Sequence, residues 1–487
     1  MRKIPFYPLL VGVVLVLGLY SRNRLQLTGL GSTIVPILGV IDLGLILLVV
    51  GRLLLRSWSR SALVVTPLLL LYLVLGSITK DLLVGLVLVH FGLVVVVGFA
   101  VVVKRLKSSN LGSITLVGNI LLTCIVVVVL IYALVPGLSS STRQPLGKVD
   151  SASTSTELRD IYYIVMDEYT RDDVLLDMCN FDNSEFTDWL RDEGFYVADN
   201  SYANYPHTVT YLASTLNMNY LPEPVSLAEV VNLIDNNEVY EQLRQRGYTI
   251  IHINSWCSNN LFSASTDTIY SYEGWSEFFK LFLSLTPYNP ESTMEEQYYN
   301  TTLYQFDKLQ EIPQMPEATF TFVHIMMTHA PPLFNPDGSF RENVPPTGRM
   351  YTELYTDQIQ AANRLLQDAI CTILAEGNAV IILQGDTGTQ PPDLLPYLSE
   401  HDGNFSEVMQ DDPYIVWARL ADLNAIYSDC DYEFTSPINT FRIIFNHYFD
   451  ANYAILPDRH FFEIEVASKP FEFFEVTDEL REYGGER

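Results

Sequence analysis

Within its first 137 residues the chain carries five apolar stretches, about Ile4 to Tyr20, Thr33 to Leu55, Ala62 to Ile78, Leu82 to Val103 and Ile114 to Val135. Each is near the roughly 20 residues with which an α-helix crosses the hydrocarbon of a bilayer. Core helices of soluble proteins keep a polar face and are not so uniformly apolar. Residues 1–137 are therefore expected to form an all-α transmembrane region of five helices. The first stretch follows Met-Arg-Lys as a signal peptide would, but four further spans and no small-residue cleavage site make it a retained anchor. Arg2, Lys3, Arg52, Arg56, Arg60, Lys104, Arg105 and Lys107 fall on one side of these spans, and Arg22, Arg24 and Lys80 on the other. The excess of basic residues marks the cytoplasmic side, so the amino terminus is cytoplasmic and five spans leave the rest of the chain outside. Asp42 and His90 lie within spans, each alone, which suits a helix–helix hydrogen bond better than an ion path.

Beyond the spans the composition reverses. Up to Asp150 there are 13 basic and three acidic residues; after it there are 16 basic and 54 acidic ones, with Lys280, Lys308 and Lys469 the only lysines. Such a surface has no basic footprint for phosphate backbones, which excludes nucleic acid as a partner. A Lys-poor, acid-rich chain has the composition of a protein kept soluble in high salt, so a halophilic origin is expected. Residues 138–156, LSSSTRQPLGKVDSASTST, are rich in Ser, Thr, Pro and Gly without apolar periodicity and read as a flexible linker. The region 157–487 then forms one extracytoplasmic domain. Its cysteines, Cys179, Cys257, Cys371 and Cys430, are too widely spaced for a zinc knuckle. They allow one or two disulfides, with Cys371 expected as a buried thiol on an apolar helix face.

In that domain the runs IYYIVMD, FYVAD, YTIIHIN, TFTFVHI and VIILQGD alternate with helical stretches such as SEFTDWLRDEG and YTDQIQAANRLLQDAICTILAEG. This alternation specifies an α/β fold, a sheet covered by helices. Two of the apolar runs stop at an acid, Asp167 and Asp386. Central strands of parallel sheets deliver ligands at their carboxyl ends, so the two acids suggest a metal. Between them, NSYANYPHTVTYLASTLNMNYL leads from a loop into a helix with Thr208 near its start. A hydroxyl there meets unpaired amides and the positive end of the helix dipole, where it can attack or hold a phosphate-like anion, or simply cap the helix. In FVHIMMTHAPPLF the strand feeds His329 into a Pro-rich loop, suited to protonating a leaving group, while His324 inside the strand is read as a packing residue.

These pieces, in this order, resemble the alkaline phosphatase superfamily, specifically membrane-anchored sulfatase-like proteins related to the lipoteichoic acid synthase and phosphoethanolamine transferase families. The resemblance covers roughly Ile161 to Val476: IYYIVMDEYTRDDVL is similar to the opening strand with its metal Asp, the Thr208 segment to the nucleophile region, HIMMTHAPPLF to the His-Pro-Pro segment, and SPINTFRIIFNHYFDANYAILPDRHFF to the closing segment. It implies an alkaline-phosphatase-like sheet sandwiched by helices, with Asp167, Thr208 and Asp386 sharing a divalent cation. It further implies Thr208 as nucleophile and His329 as the group that stabilises or protonates the leaving oxygen. No cysteine has Pro two and Arg four residues later, the pattern that sulfatases convert to formylglycine, so phosphate esters are the expected substrates. The family's last strand usually ends Asp-His-Gly and this one ends Asp386-Thr387-Gly388, so a nitrogen ligand is missing. Oxygen ligands alone favour Mg²⁺ or Mn²⁺ over Zn²⁺. Glu168, next to Asp167, is expected to point away from the site because strand neighbours do; His207 and His401 are candidates for the gap. Asp-Thr-Gly is also the aspartic protease triplet, but the second triplet or small all-β dimerising chain that it requires is missing. The sequence thus points to a metal-dependent phosphohydrolase or phosphotransferase held at the lipid bilayer and acting on envelope lipid, polyol or glycan esters. Its alternative is an inactive domain of the same fold that binds envelope glycans or lipid headgroups.

Overall fold

The computed structural model describes residues 4–23, 30–78, 95, 98–106, 108–134, 158–255, 265–272, 277–286, 291–344, 352–389, 413–432, 436–463 and 470–485. The linker 138–156, His90, Cys257 and His401 lie outside them. The chain divides into two compact units, residues 1–146 with 273–294, and residues 147–272 with 295–487.

The first unit contains helices α1 (Tyr7–Asn23), α2 (Ile34–Leu55), α3 (Trp58–Ile78) and α4 (Ser108–Leu134). Among the described residues, Gly31–Leu55 and Asn110–Ile131 are helical, long and apolar enough to cross a membrane, and Tyr7–Arg22 and Trp58–Leu73 are shorter apolar helices. Most of the expected span from Leu82 to Val103 falls outside the described residues. Some polar groups in this unit find partners inside it. The Asn119 side chain of α4 accepts from the Phe6 and Tyr7 amides and donates to the Ile4 carbonyl, satisfying the start of α1. Asp42 is exposed on α2. Helix α5 (Glu277–Ser284) belongs to the same unit: Phe278 is buried with Val16, Tyr20, Leu69 and Leu73, its ring 5.8 Å from that of Tyr20.

The second unit is built on a seven-stranded sheet of order β2-β7-β6-β1-β5-β3-β4, with β1 Asp160–Met166, β2 Tyr196–Val197, β3 Thr249–Ile253, β4 Thr268–Tyr270, β5 Thr319–Ile325, β6 Ala379–Gly385 and β7 Asn424–Tyr427. The pairs β6–β1, β1–β5, β5–β3 and β3–β4 are parallel, while β7 runs antiparallel to β6 and β2 to β7. Strands β5 and β6 are buried at every residue, as unbroken apolar runs covered on both faces must be. Strand pleating sorts alternate residues into two cores. Ile161, Tyr163, Val165, Phe320, Phe322, Val380 and Ile382 pack on one face with helix α6 (Thr208–Asn217). Tyr162, Ile164, Met166, Val323, Ile325, Ile381 and Leu383 pack on the other with helix α7 (Thr352–Glu376).

Cys371 lies on α7 but is exposed, contrary to the buried thiol expected. Ile370 and Ile373 occupy the buried stripe, and one residue of helical rotation carries Cys371 off it. Cys179 and Cys430 are free thiols as well.

Asp422, just before β7, is completely buried; one carboxyl oxygen accepts from Ser201 Oγ at 2.5 Å and the other has no partner. Burial pushes this carboxyl up to about 8, against the opposing effects of Ser201 and Arg171. Between the ordinary Asp value of about 4 and this one, the folded chain keeps a proton that the unfolded chain loses, so stability falls as pH rises, by up to about 1.4 kcal/mol per pH unit. Asp422→Asn, which cannot ionise, is expected to raise the melting temperature at pH 8 and to leave it nearly unchanged at pH 4. Thermal melts of both proteins across that range measure it, and equal destabilisation at both ends would contradict the buried proton.

Candidate active site

The register of three adjacent strands brings the candidate ligands together. Val165 of β1 is paired with His324 of β5 on one side and Gln384 of β6 on the other. Paired residues share a face, so His324 and, two residues beyond Val165 and Gln384, Asp167 and Asp386 project to the side covered by α6. His324 Nε2 lies 3.2 Å from Asp167 Oδ2 and 3.6 Å from Asp386 Oδ2. Thr208 Oγ1 donates to the same Asp386 oxygen at 2.5 Å, and the Glu168 amide donates to the other at 3.0 Å. The ligand atoms of Asp167, His324 and Asp386 all lie within 4.8 Å of one another, and the three side chains are buried.

His324 is thus not the packing residue that its place inside a strand suggested. Both ring nitrogens are buried without a hydrogen-bond partner. Burial opposes charge on its ring, yet the Asp167 and Asp386 carboxylates push it up to about 10. For Asp386, burial favours the neutral form, but the His324 ring, the Thr208 hydroxyl and the Glu168 amide hold the carboxyl below its ordinary range.

Thr208 is the first residue of α6; the cap position belongs to His207, whose side chain makes no capping bond. The Thr208 hydroxyl is turned instead to Asp386. His207 does not enter the ligand cluster. Its Nδ1 meets Glu463 Oε1 at 2.8 Å, and Thr210 Oγ1 donates to that oxygen at the same distance, so Glu463 in β8 (Phe461–Glu463) anchors the start of α6.

Glu168 corrects the expectation that it points away. Strand alternation ends at Met166, and Glu168 has a left-handed backbone with φ 57°, a conformation uncommon outside glycine. The Tyr355 hydroxyl donates to the Glu168 carbonyl at 2.6 Å and holds the turn. The Glu168 carboxylate is buried beside Asp167 and His329, with which it forms a second ligand-capable cluster. Burial raises its carboxyl and Arg419 opposes this; the net direction is upward. His329 is placed with Asp167 and Glu168, its Nδ1 2.5 Å from the Ala330 carbonyl oxygen. Burial disfavours charge on its ring, but the two carboxylates outweigh it and hold it above the ordinary His range.

Arg419, at the end of helix α8 (Pro413–Leu420), joins the loops that carry these groups. Its guanidinium donates to Glu168 Oε1 at 2.6 Å, to the Pro206 carbonyl at 2.9 and 3.2 Å, and to the Gly388 carbonyl at 2.9 Å. Position 388 must be glycine, because a Cβ there would lie 2.0 Å from the Ala418 carbonyl oxygen. Thr387 between them is fully buried, with a hydroxyl that has no partner. A lone arginine in the apolar helix PYIVWARL was the one sequence signal for Arg419.

No family model matches this sequence, and no curated protein matches it. Among solved structures the chain is similar to the C-terminal periplasmic domain of EcEptC from Escherichia coli, at 13% identity over 66% of this chain and 93% of that one, TM-score 0.43. It is similar to the lipoteichoic acid synthase LtaP from Listeria monocytogenes, at 13% identity over 59% and 71% of the two chains, TM-score 0.39. A third is the integral membrane lipooligosaccharide phosphoethanolamine transferase A (EptA) from Neisseria meningitidis, at 12% identity over 72% and 62%, TM-score 0.37. The chain is likewise similar to a protein in the alkaline phosphatase superfamily from Vibrio parahaemolyticus, at 10% identity over 63% and 74%, TM-score 0.40.

Removing one partner of a buried ion pair costs about 3–5 kcal/mol, because the other charge is left unpaired. Arg419→Met is therefore expected to destabilise the chain by that order, and Glu168→Gln in the same chain to recover part of the loss. Denaturant melts of the wild type, both single variants and the double variant measure the coupling; simple additivity would show that the pair does not act as a unit.

Proposed function

We propose that the chain is a membrane-tethered, metal-dependent phosphohydrolase or phosphotransferase that acts outside the cytoplasmic membrane on envelope lipid, polyol or glycan esters, with Thr208 as nucleophile. One observation carries this reading: the Thr208 hydroxyl, on the first residue of a helix, is hydrogen-bonded at 2.5 Å to an Asp386 oxygen that also faces His324 beside Asp167. Nucleophile, anion-binding helix end and carboxylates then belong to one site.

The donor set fits a cation: two buried carboxylates, the Thr208 oxygen and unpartnered imidazole nitrogens come together. Asp167, Asp386 and Thr208 would hold the ion, which when bound lowers the cost of an alkoxide on Thr208 and of negative charge on the transferred group. The chain's own residues supply the rest. Asp386 orients the Thr208 hydroxyl, and the amides of the first turn of α6, which have no partners within a helix, receive the phosphoryl oxygens. As the bond from Thr208 oxygen to phosphorus forms, the hydroxyl proton passes to Asp386, and as the ester bond breaks His329 gives a proton to the leaving oxygen; its position beside Asp167 and Glu168 favours the protonated ring. Water or a second alcohol then attacks phosphorus, giving its proton to His329, and the bond to Thr208 breaks as that oxygen takes its proton back from Asp386.

The multi-pass anchor belongs to the same proposal. A tether confines the site to the membrane surface, where a lipid-linked substrate has a high effective concentration.

The test uses the full chain in detergent with added divalent metal, assayed on bis(p-nitrophenyl) phosphate and on a phosphoethanolamine lipid across salt concentrations. Thr208→Ala is expected to lower turnover by at least about 10³-fold, the order lost when groups of a nucleophilic unit are removed, with an unchanged melting curve. Intact-mass analysis of the wild type should show a phosphorylated species that the variant lacks. Wild-type rates in Thr208→Ala would reject this nucleophile, and inertness of the wild type toward every ester would favour the binding domain.

A further inference from the structure

We propose that His324 is itself a metal ligand, its Nε2 completing with Asp167, Asp386 and Thr208 the donor set of one divalent cation and supplying from β5 the nitrogen that position 387 does not. The inference rests on the metal-dependent reading above and deepens it.

The geometry has three parts. First, the donor atoms are spaced as neighbours around a shared ion. Metal bonds of about 2.0–2.2 Å place adjacent ligand atoms roughly 3 to 3.6 Å apart, and His324 Nε2 is 3.2 and 3.6 Å from the nearer oxygens of Asp167 and Asp386. Second, His324 is 2% exposed and neither ring nitrogen has a hydrogen-bond partner. Nε2 contacts carboxylate oxygens without making a hydrogen bond to either, so it is available to bond an ion shared with them. Third, the other nearby histidines lie outside the Asp167–His324–Asp386 group. His207 Nδ1 faces Glu463, and His329, with Nδ1 on the Ala330 carbonyl, groups with Asp167 and Glu168 and not with Asp386. Thr387 is fully buried and brings only a hydroxyl.

Pleat parity places His324 here. It is in step with Phe320 and Phe322 on β5, and the pairing of His324 with Val165 sets it one register step before Asp167. The result is a site of three oxygens and one imidazole, in place of an all-oxygen site. Imidazole suits Zn²⁺ and its first-row neighbours, whereas Mg²⁺ is held by oxygens alone. The chain is therefore selective for Zn²⁺ or Co²⁺ over Mg²⁺, which reverses the preference that oxygen ligands alone would set.

Metal binding to the full chain in detergent, stripped with chelator and titrated calorimetrically with Zn²⁺, Co²⁺ and Mg²⁺, tests this without recourse to activity. The expected result is a Zn²⁺ site far tighter than any Mg²⁺ site, weakened in His324→Gln by more than the roughly 10–100-fold that loss of an outer-sphere partner costs. Pulsed electron paramagnetic resonance of the Mn²⁺-loaded wild type should show coupling to an imidazole nitrogen, retained in His329→Gln; this reading does not depend on how well the His324 variant folds. Unchanged or tighter Zn²⁺ binding in His324→Gln, or no nitrogen coupling in the wild type, would overturn the ligand assignment while leaving a metal enzyme in place; the imidazole would then be a cation surrogate lodged between the carboxylates. A wild type that takes up no divalent ion would instead overturn the metal-dependent reading itself.

Discussion

The Arg419 guanidinium holds together the segments on which the site depends. The turn after β1, the loop before α6 and the turn after β6 carry Asp167, Thr208 and Asp386, and each gives Arg419 an oxygen, from Glu168, Pro206 and Gly388 respectively. The Glu168 amide and the Thr208 hydroxyl, both bonded to Asp386, tie the same segments a second time. Arginine suits the role because its planar fork presents five donors in fixed directions and remains charged when buried. The close approach that lets it reach the Gly388 carbonyl also excludes any side chain at 388. The Asp-Thr-Gly triplet is thus shaped by packing as well as by its acid.

Around this tie buried acidic and basic side chains are paired. Asp167, Glu168 and Asp386 are buried carboxyls, faced by Arg419, His324 and His329. Burying unpaired carboxylates is costly, and such groups persist where they are paired or bind metals. Each carboxyl here has a basic group within reach, and the cluster lies against the Thr208 hydroxyl. Asp422 takes the other course: with no cation in contact, it keeps its proton. The two outcomes a short distance apart show neighbours, more than depth, deciding ionisation.

Much of the second unit was legible in the chain. The apolar runs ending at Asp167 and Asp386 lie in adjacent central strands, and the helix opening at Thr208 carries its hydroxyl to one of those acids, because each run was long, unbroken and bounded by loop residues. Glu168 was misread because alternation was extended one residue past the strand, into a turn with left-handed backbone. Cys371 was misplaced by a single helical step. His324 was taken for a packing residue because its own strand shows only that it shares a face with two phenylalanines. Arg419 stood in an apolar helix, with nothing nearby in the chain to name its partners.

The features legible along the chain were local: which residues form strands, which side chains share a face, which strands end in an acid, and where a helix begins with a hydroxyl. These follow from pleating, helix periodicity and burial, all short-range properties of the chain. Tertiary structure alone decided which faces meet and in what register. Val165 pairs with His324 on one side and Gln384 on the other, and a slip of one residue would have turned His324 to the opposite face. That register is set by the packing of residues far apart in the chain, so the meeting of an imidazole with two carboxylates is a property of the assembled sheet.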